Sequence, residues 1–368
     1  MKKIIAVIFC CVFLFTISVT HAFSSEVSTS AGSSVLLCAN NGKVLYSHNM
    51  DTRMKMASTT KIMTALLTLE NAEKDNRVVT FKESMIEKGS SMYLKVGEKL
   101  RLEDLCVGML LPSGNDAATC AAVSIAGSKE KFAEKMNKRA KEIGMKNTNF
   151  VTPSGLDDDN HYSTAYDMAL LMKECIKNKK FCEISGSVSK TVSFVSPQDK
   201  AVTYQNHNRL LSSYDYCISG KTGYTESAGR CLVTASRKNG VTLIAVTLND
   251  RNDWEDHTSL YDYGFSEVQS KTFYAKTITQ SVVGGKSDSV KLKIEEKTFV
   301  TNKKNDKITT KILIDPFAYA PISKGDRAGL VLYCENGRVI DKSVLKYGDD
   351  VEYKTTQRGF WEFIKGIF

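Results

Sequence analysis

The chain has 368 residues, of which 42% are hydrophobic and 25% charged, so its composition excludes global disorder and allows one large domain plus a smaller one. Its formal net charge is +9, yet no dense basic run with interleaved aromatic residues occurs, which argues against nucleic-acid binding. The charge indicates a mild attraction to anionic surfaces such as a membrane or a cell wall.

The N-terminus has the pattern of a secretory signal peptide over residues 1–22. Lys2 and Lys3 precede an uncharged apolar run at residues 4–19, and small residues surround an expected cleavage point after Ala22. The run is slightly short for a membrane span, and a retained N-terminal anchor is the alternative. We therefore expect an exported protein on the outer face of the cytoplasmic membrane or in the cell wall.

Cysteine and histidine spacing predicts neither a disulfide framework nor a metal site. Of the ten cysteines, Cys10 and Cys11 lie in the signal, and the other eight form no CxxC pattern. We expect buried free thiols, with disulfides as the alternative in an exported protein. No histidine beyond residue 22 stands at metal-ligand spacing, so we expect no metal and no cofactor.

Three Asn-Gly steps separate runs that are typical of β-strands. Such steps favour a tight hairpin turn, because that turn requires positive φ angles. The three steps are Asn41-Gly42, Asn239-Gly240 and Asn336-Gly337.

Helical periodicity fills the interval between the first two hairpins. Residues 59–70 are apolar nearly all round, which indicates a buried helix, and residues 129–143 are amphipathic and end before Gly144. Residues 167–176 form another helical pattern. Strands from both ends of a domain with helices between them predict an α+β fold, an antiparallel sheet with helices packed on it.

After residue 268 strand-like alternation dominates, as in residues 290–294. We predict a main domain over residues 23–268 and a small all-β domain over residues 269–352.

Residues 353–368 form an amphipathic tail. Its apolar side chains fall within one arc of a helical wheel, which suits a short helix lying at a membrane surface, and packing on the β domain is the alternative. The apolar residues are Phe360, Trp361, Phe363, Ile364, Ile367 and Phe368, and the charged ones opposite are Arg358, Glu362 and Lys365.

The first cluster whose side chains could carry out a reaction is Ser58 and Lys61. A helix places residues three apart on one face, and a serine becomes nucleophilic only beside a base. A lysine can serve as that base if burial or a second cation lowers its pKa. Taken alone, the pair is better explained as a serine helix cap and a surface lysine.

Two further clusters follow. Ser113 and Asn115 lie in a loop where a hydroxyl could relay a proton and an amide could hold a peptide group, although such residues also form ordinary turns. On an edge strand Lys221 and Thr222 could bind a carboxylate, and Gly223 would allow close approach of a substrate backbone.

These clusters, in the order SxxK, SGN, KTG, form the motif set of penicillin-binding proteins and serine β-lactamases. Residues 57–64, 109–117, 155–156 with 163–169, 206–211 and 321–326 extend the resemblance to the low-molecular-mass D-alanyl-D-alanine carboxypeptidases over nearly the whole chain beyond the signal. The resemblance implies a penicillin-binding/β-lactamase-like domain with a helical subdomain, followed by an all-β domain. It implies removal of the last D-alanine from peptidoglycan stem pentapeptides, and β-lactams as covalent inhibitors.

The same resemblance implies roles for individual residues. Ser58 would attack the D-Ala-D-Ala carbonyl, Lys61 would take its proton, and Ser113 would pass a proton to the departing D-alanine. The other implied contacts are Asn115 to the substrate amide, Lys221 and Thr222 to the terminal carboxylate, and the N–H groups of Ser58 and Tyr224 to the developing oxyanion beside Gly223. The segment 206–211 offers His207 and Arg209 as two alternatives for a basic residue near the carboxylate.

Two other functions fit the motifs less well. A class A β-lactamase needs a deacylating glutamate between the second and third motifs, and the Glu-x-x-Leu-Asn context is missing there. A catalytically silent penicillin sensor would tolerate loss of motif side chains, but all of them are present.

Overall fold

The computed structural model describes residues 27–303 and 308–354. The predicted signal peptide and the tail residues 355–368 lie outside these ranges, so both interpretations stay predictions. Within the described residues, no helix combines the length and the apolar character needed to cross a bilayer.

A five-stranded antiparallel sheet forms the centre of the larger part of the molecule. Its order is β2-β1-β9-β8-β7, so strands from both ends of this part meet in one sheet and β7 lies at an edge. The strands are β1 (Ser33–Cys38), β2 (Val44–His48), β7 (Cys217–Thr225), β8 (Gly229–Lys238) and β9 (Val241–Leu248).

Helices cover both faces of this sheet. All six residues of β1 are buried, because Val35 and Leu37 face one apolar cluster and Leu36 and Cys38 face another. The helices are α1 (Lys61–Ala72), α2 (Leu102–Leu110), α3 (Asn115–Ala126), α4 (Lys129–Ile143), α5 (Ala165–Cys175), α6 (Lys179–Ser185), α7 (Leu210–Ser213) and α8 (Asp253–Glu267). The helices predicted at residues 59–70, 129–143 and 167–176 are confirmed as α1, α4 and α5, and the α+β class is confirmed with them.

Two short antiparallel ribbons and two 3-10 helices complete the larger part. The ribbons are β3 (Val78–Thr80) with β4 (Lys99–Arg101), and β5 (Ser189–Ser193) with β6 (Ala201–Gln205); the 3-10 helices are Ala57–Thr60 and Glu83–Met85.

Every described element after Glu267 is a strand. A six-stranded sheet of order β14-β16-β17-β12-β11-β15 packs beside the pair β10-β13, around a core that includes Val290, Leu292, Tyr333 and Leu345. The strands are β10 (Val268–Phe273), β11 (Lys276–Val283), β12 (Ser289–Ile294), β13 (Lys297–Asn302), β14 (Ile308–Ile314), β15 (Phe317–Tyr319), β16 (Arg327–Glu335) and β17 (Arg338–Tyr347).

Two of the three predicted Asn-Gly turns are confirmed. Asn239-Gly240 joins β8 to β9 and Asn336-Gly337 joins β16 to β17, each with positive φ at both positions. At Asn41-Gly42 the predicted hairpin is confirmed, because β1 and β2 pair as antiparallel strands around it. Its tight turn is wrong, because only Gly42 has positive φ and the Cys38 N–H bonds to the Lys43 carbonyl across a longer loop. The Asn41 side chain closes this loop by accepting the Lys43 N–H at 3.0 Å.

All eight cysteines of the described chain carry free thiols. Six are buried, and Cys182 and Cys217 are half-buried. Burial raises the pKa of Cys120 and of Cys231 to about 12, which leaves very little reactive thiolate at neutral pH.

Candidate active site

Ser58 lies in the 3-10 helix that leads into α1. The residue before it, Ala57, has a φ of +46°, a conformation that is costly for a residue with a Cβ atom. The helical turn brings Lys61 Nζ to 2.8 Å from Ser58 Oγ, and Lys61 Nζ also donates to the Ser154 carbonyl at 2.8 Å. The predicted Ser58–Lys61 pair is therefore brought together.

Lys61 is fully buried, which changes its chemistry. Desolvation is the largest cause that moves its pKa well below the usual value, and the nearby charge of Lys221 acts in the same direction, while Asp116 opposes both. A buried amine beside a second cation spends more time neutral than a surface lysine. Only the neutral amine can accept a proton from Ser58.

Ser113 and Asn115 stand where α2 passes into α3. Ser113 is buried with a φ of +65°, and Asn115 donates its side-chain N–H to the Lys88 carbonyl at 2.7 Å. Asn115 Oδ1 is buried and has no hydrogen-bond partner among the described residues. A buried acceptor without a partner costs free energy, so this oxygen is suited to receive a ligand N–H group.

The adjacent Asp116 binds the segment of residues 91–94, which lies beside this loop. Its carboxylate accepts from Met92 N at 2.9 Å, from Ser91 Oγ at 2.6 Å and from Leu94 N at 3.1 Å. Fixed in this way, the start of α3 gives Ser113 and Asn115 a rigid support.

Lys221, Thr222, Gly223 and Tyr224 lie on the edge strand β7, as the sequence predicts. Lys221 is 1% exposed, and burial lowers its pKa to about 7. A Cβ atom on Gly223 would stand 3.0 Å from the backbone nitrogen of Ser58, so only glycine lets β7 pack this closely on the 3-10 helix.

A cavity of about 710 Å³ opens between the 3-10 helix, the start of α3 and β7. Five of the predicted site residues line it, namely Ser58, Ser113, Thr222, Gly223 and Tyr224. The other three, Lys61, Asn115 and Lys221, are buried. His207 and Arg209 both line the cavity, so the choice between them stays open; desolvation and then the charge of Lys221 lower the pKa of His207.

Sequence reasoning missed several lining residues, namely Ser90, Asn206, Arg230, Asp253 and Trp254. It also missed the Ser154 carbonyl, because a backbone acceptor leaves no residue-type signal. Asn206 stood inside a segment that was already singled out, whereas Arg230 and Trp254 belong to no short pattern. In the described parts of the chain, no three His, Cys, Asp or Glu side chains converge as metal ligands.

Two family models match the chain. One is described as D-alanyl-D-alanine carboxypeptidase and matches residues 20–252, and one is described as the C-terminal domain of penicillin-binding protein 5 and matches residues 269–353.

Individual relatives agree with these matches. D-alanyl-D-alanine carboxypeptidase DacF of Bacillus subtilis is 33% identical over 356 residues, which cover 93% of this chain and 90% of the relative. Penicillin-binding protein 5 of Haemophilus influenzae superposes with a TM-score of 0.68 at 30% identity, covering 88% of this chain and 98% of that one. The Streptomyces K15 DD-transpeptidase superposes with a TM-score of 0.61 at 30% identity, covering 65% and 98%.

Proposed function

The chain belongs to the D-alanyl-D-alanine carboxypeptidase family, and on this premise we propose that Ser58 is the nucleophile with which it removes the terminal D-alanine of peptidoglycan stem pentapeptides. The observation that carries the proposal is the 2.8 Å contact between Ser58 Oγ and the buried Lys61 Nζ. β-Lactams, as covalent inhibitors, would acylate the same oxygen.

Acylation begins when Ser58 Oγ attacks the carbonyl carbon between the two D-alanines. Neutral Lys61 takes the hydroxyl proton, and the backbone N–H groups of Ser58 and Tyr224 stabilise the charge that develops on the carbonyl oxygen. The C–N bond then breaks while Ser113 passes a proton to the departing amine. Water hydrolyses the resulting ester and regenerates free Ser58.

Substrate binding uses the remaining site residues. Lys221 and Thr222 receive the terminal carboxylate, and the peptide lies against β7, where Gly223 lines the cavity and keeps the strand close to Ser58. The unpartnered Asn115 Oδ1 accepts a substrate amide N–H. His207 and Arg209, which both line the cavity, are the two alternatives for a basic residue that contacts this carboxylate.

The deciding experiment measures two quantities on the protein without residues 1–22. Wild type should release D-alanine from a stem pentapeptide, and intact mass after benzylpenicillin treatment should show one added acyl group. Ser58→Ala should show neither. An acyl group retained in Ser58→Ala would assign the nucleophile elsewhere, and rapid release of the penicilloyl group by wild type would favour a β-lactamase.

We also propose export, a peptidase domain over residues 23–268, a β domain over residues 269–352 and surface attachment through residues 353–368. A basic, apolar tail helix of this length should bind anionic lipid weakly and reversibly. Co-sedimentation with anionic vesicles should drop when residues 357–368 are removed. Equal sedimentation of both forms would contradict the anchor.

A further inference from the structure

The cavity continues past Tyr224 to three side chains that the proposed mechanism does not use: Arg230, Asp253 and Trp254. Tyr224 and Arg230 are directly opposed in the β7–β8 register, so their side chains project on the same face of the sheet. This end of the cavity is therefore formed by Tyr224 on the edge strand β7, by Arg230 on β8 and by the start of α8.

Arg230 is held in one orientation. Its Nε donates to Asp253 Oδ2 at 3.1 Å, its Nη2 contacts Asp253 Oδ1, and the Trp254 ring lies 5.8 Å from the guanidinium. The Asp253 side chain is 4% exposed, whereas that of Arg230 is 43% exposed. Both carboxylate oxygens of Asp253 therefore contact Arg230. The Nη1 atom of Arg230 has no hydrogen-bond partner among the described residues.

The direction of the substrate follows from the proposed contacts. With the terminal carboxylate at Lys221 and Thr222 and the scissile carbonyl at the Tyr224 N–H, an extended peptide runs antiparallel to β7. One residue of extended chain advances about 3.3 Å. The residue that precedes the D-Ala-D-Ala pair therefore lies along the free edge of β7 at or just past the level of Tyr224, and Arg230, which pairs with Tyr224 from β8, lines the same end of the cavity.

We propose that Arg230 is a specificity-determining residue that binds a carboxylate on the side chain of the stem residue preceding D-Ala-D-Ala. A guanidinium matches carboxylate geometry, and an ordered one loses less freedom on binding. The site would favour a diamino dicarboxylic acid at that position over a diamino monocarboxylic acid such as lysine. This inference rests on the proposed function, because that function sets the direction of the peptide.

The test uses two N-acetylated tripeptides that end in D-Ala-D-Ala. One begins with L-2-aminopimelic acid, which carries a side-chain carboxylate, and the other with its side-chain amide, which has nearly the same shape without the charge. We expect wild type to show a kcat/KM about tenfold higher for the acid, the size of one partly exposed charge-assisted hydrogen bond. In Arg230→Gln this ratio should fall to about one.

Arg237→Gln is the matched control, because Arg237 is an exposed arginine on the same strand and does not line the cavity. It should keep the tenfold preference. Arg230→Lys should keep part of it, because the charge remains while the paired contacts to Asp253 are lost. Acylation of each variant by benzylpenicillin, which lacks the preceding residue, reports whether the protein is folded.

A wild-type ratio near one, or a preference for the amide, would overturn the inference, as would a ratio that Arg230→Gln leaves unchanged. Failure of the proposed function has a different signature. In that case neither tripeptide releases D-alanine and benzylpenicillin does not acylate Ser58.

Discussion

Two fully buried lysines dominate the chemistry at the residue scale. Removing an ammonium group from water is costly unless it is paired, so burial lowers the pKa of both Lys61 and Lys221. In the proposed mechanism Lys61 acts as a base in its neutral form. Lys221 binds the substrate carboxylate in its charged form, and that carboxylate supplies the compensating negative charge.

The first prediction concerns Lys61. Lys61→Ala should slow acylation by benzylpenicillin by about 10²-fold or more, because general base catalysis contributes this much. In wild type the acylation rate should rise as pH increases through the lowered pKa of Lys61, because deprotonation creates the base. Stopped-flow acylation rates measure both effects, and a normal rate in Lys61→Ala at neutral pH would exclude this role.

The second prediction concerns Lys221. Lys221→Ala should reduce kcat/KM for a free-acid substrate far more than for one amidated at the terminal carboxyl group, since only the free acid presents a charge to it. The pKa of about 7 means that carboxylate-dependent binding should weaken as pH rises above neutrality and Lys221 loses its proton. Steady-state kinetics with the two substrates should show this difference, and identical losses for both would contradict the role.

At the scale of elements, the loop before α5 supports Ser58, the proposed nucleophile. Ser154 in this loop supplies the carbonyl that holds Lys61, and His161 bonds through Nε2 to Thr60 Oγ1 at 2.8 Å. Gly155 has a φ of +85°, and a Cβ atom there would stand 1.9 Å from the Ala57 carbonyl oxygen. The strained turn before Ser58 and this glycine therefore fit each other.

The third prediction compares two glycines of positive φ. Gly144 ends α4, and a Cβ atom added to it would have no neighbour within 4 Å, so Gly144→Ala should cost only about 1–2 kcal/mol for its backbone conformation. Gly155→Ala adds a backbone clash and should cost about 3 kcal/mol or more, with slower acylation in the folded fraction. Urea unfolding measures the loss in free energy of unfolding for each variant. Equal losses would show that the loop around Gly155 shifts to accommodate the Cβ atom at little cost.

The helices and strands were largely predictable from the sequence, because the hydrophobic period and the turn residues determine them over short stretches of chain. The amphipathic helix α4 has the bounds predicted for it, and its end at Gly144 follows from a local rule. The Asn41-Gly42 turn was not predictable, because side-chain and backbone contacts select the longer loop over the intrinsic preference of the pair. Likewise, Arg230 enters the cavity only through strand register and its pairing with Asp253, which no short pattern encodes.

For the molecule as a whole, two buried histidines tie stability to pH. Desolvation lowers the pKa of His161 to about 4 and that of His257 to about 3, below their ordinary value of 6.5. The unfolded chain therefore binds protons below pH 6.5 that the folded protein does not. Stability present above pH 6.5 is lost as pH falls towards the lowered values.

The fourth prediction follows from this linkage. The free energy of unfolding should fall by about 5 kcal/mol between pH 7 and pH 4.5 from the histidines, at about 1.4 kcal/mol per unit of pKa shift. His257→Gln should be less stable at pH 7 yet lose less on acidification, whereas the exposed-site variant His48→Gln should behave as wild type. Denaturant unfolding at both pH values measures this, and an unaltered pH dependence in His257→Gln would contradict it.

For the eight free thiols of the described chain, folding competes with oxidation to disulfides. Eight cysteines can pair completely in 105 ways, and an exported chain would meet oxidising surroundings while still unfolded. Folding buries six of the thiols, and desolvation raises the pKa of five of these, which suppresses their thiolate forms; the five are Cys38, Cys106, Cys120, Cys175 and Cys231. An exported molecule would therefore keep its thiols free only if it folds before they are oxidised, so its yield would depend on the rate of folding as well as on the stability of the native state.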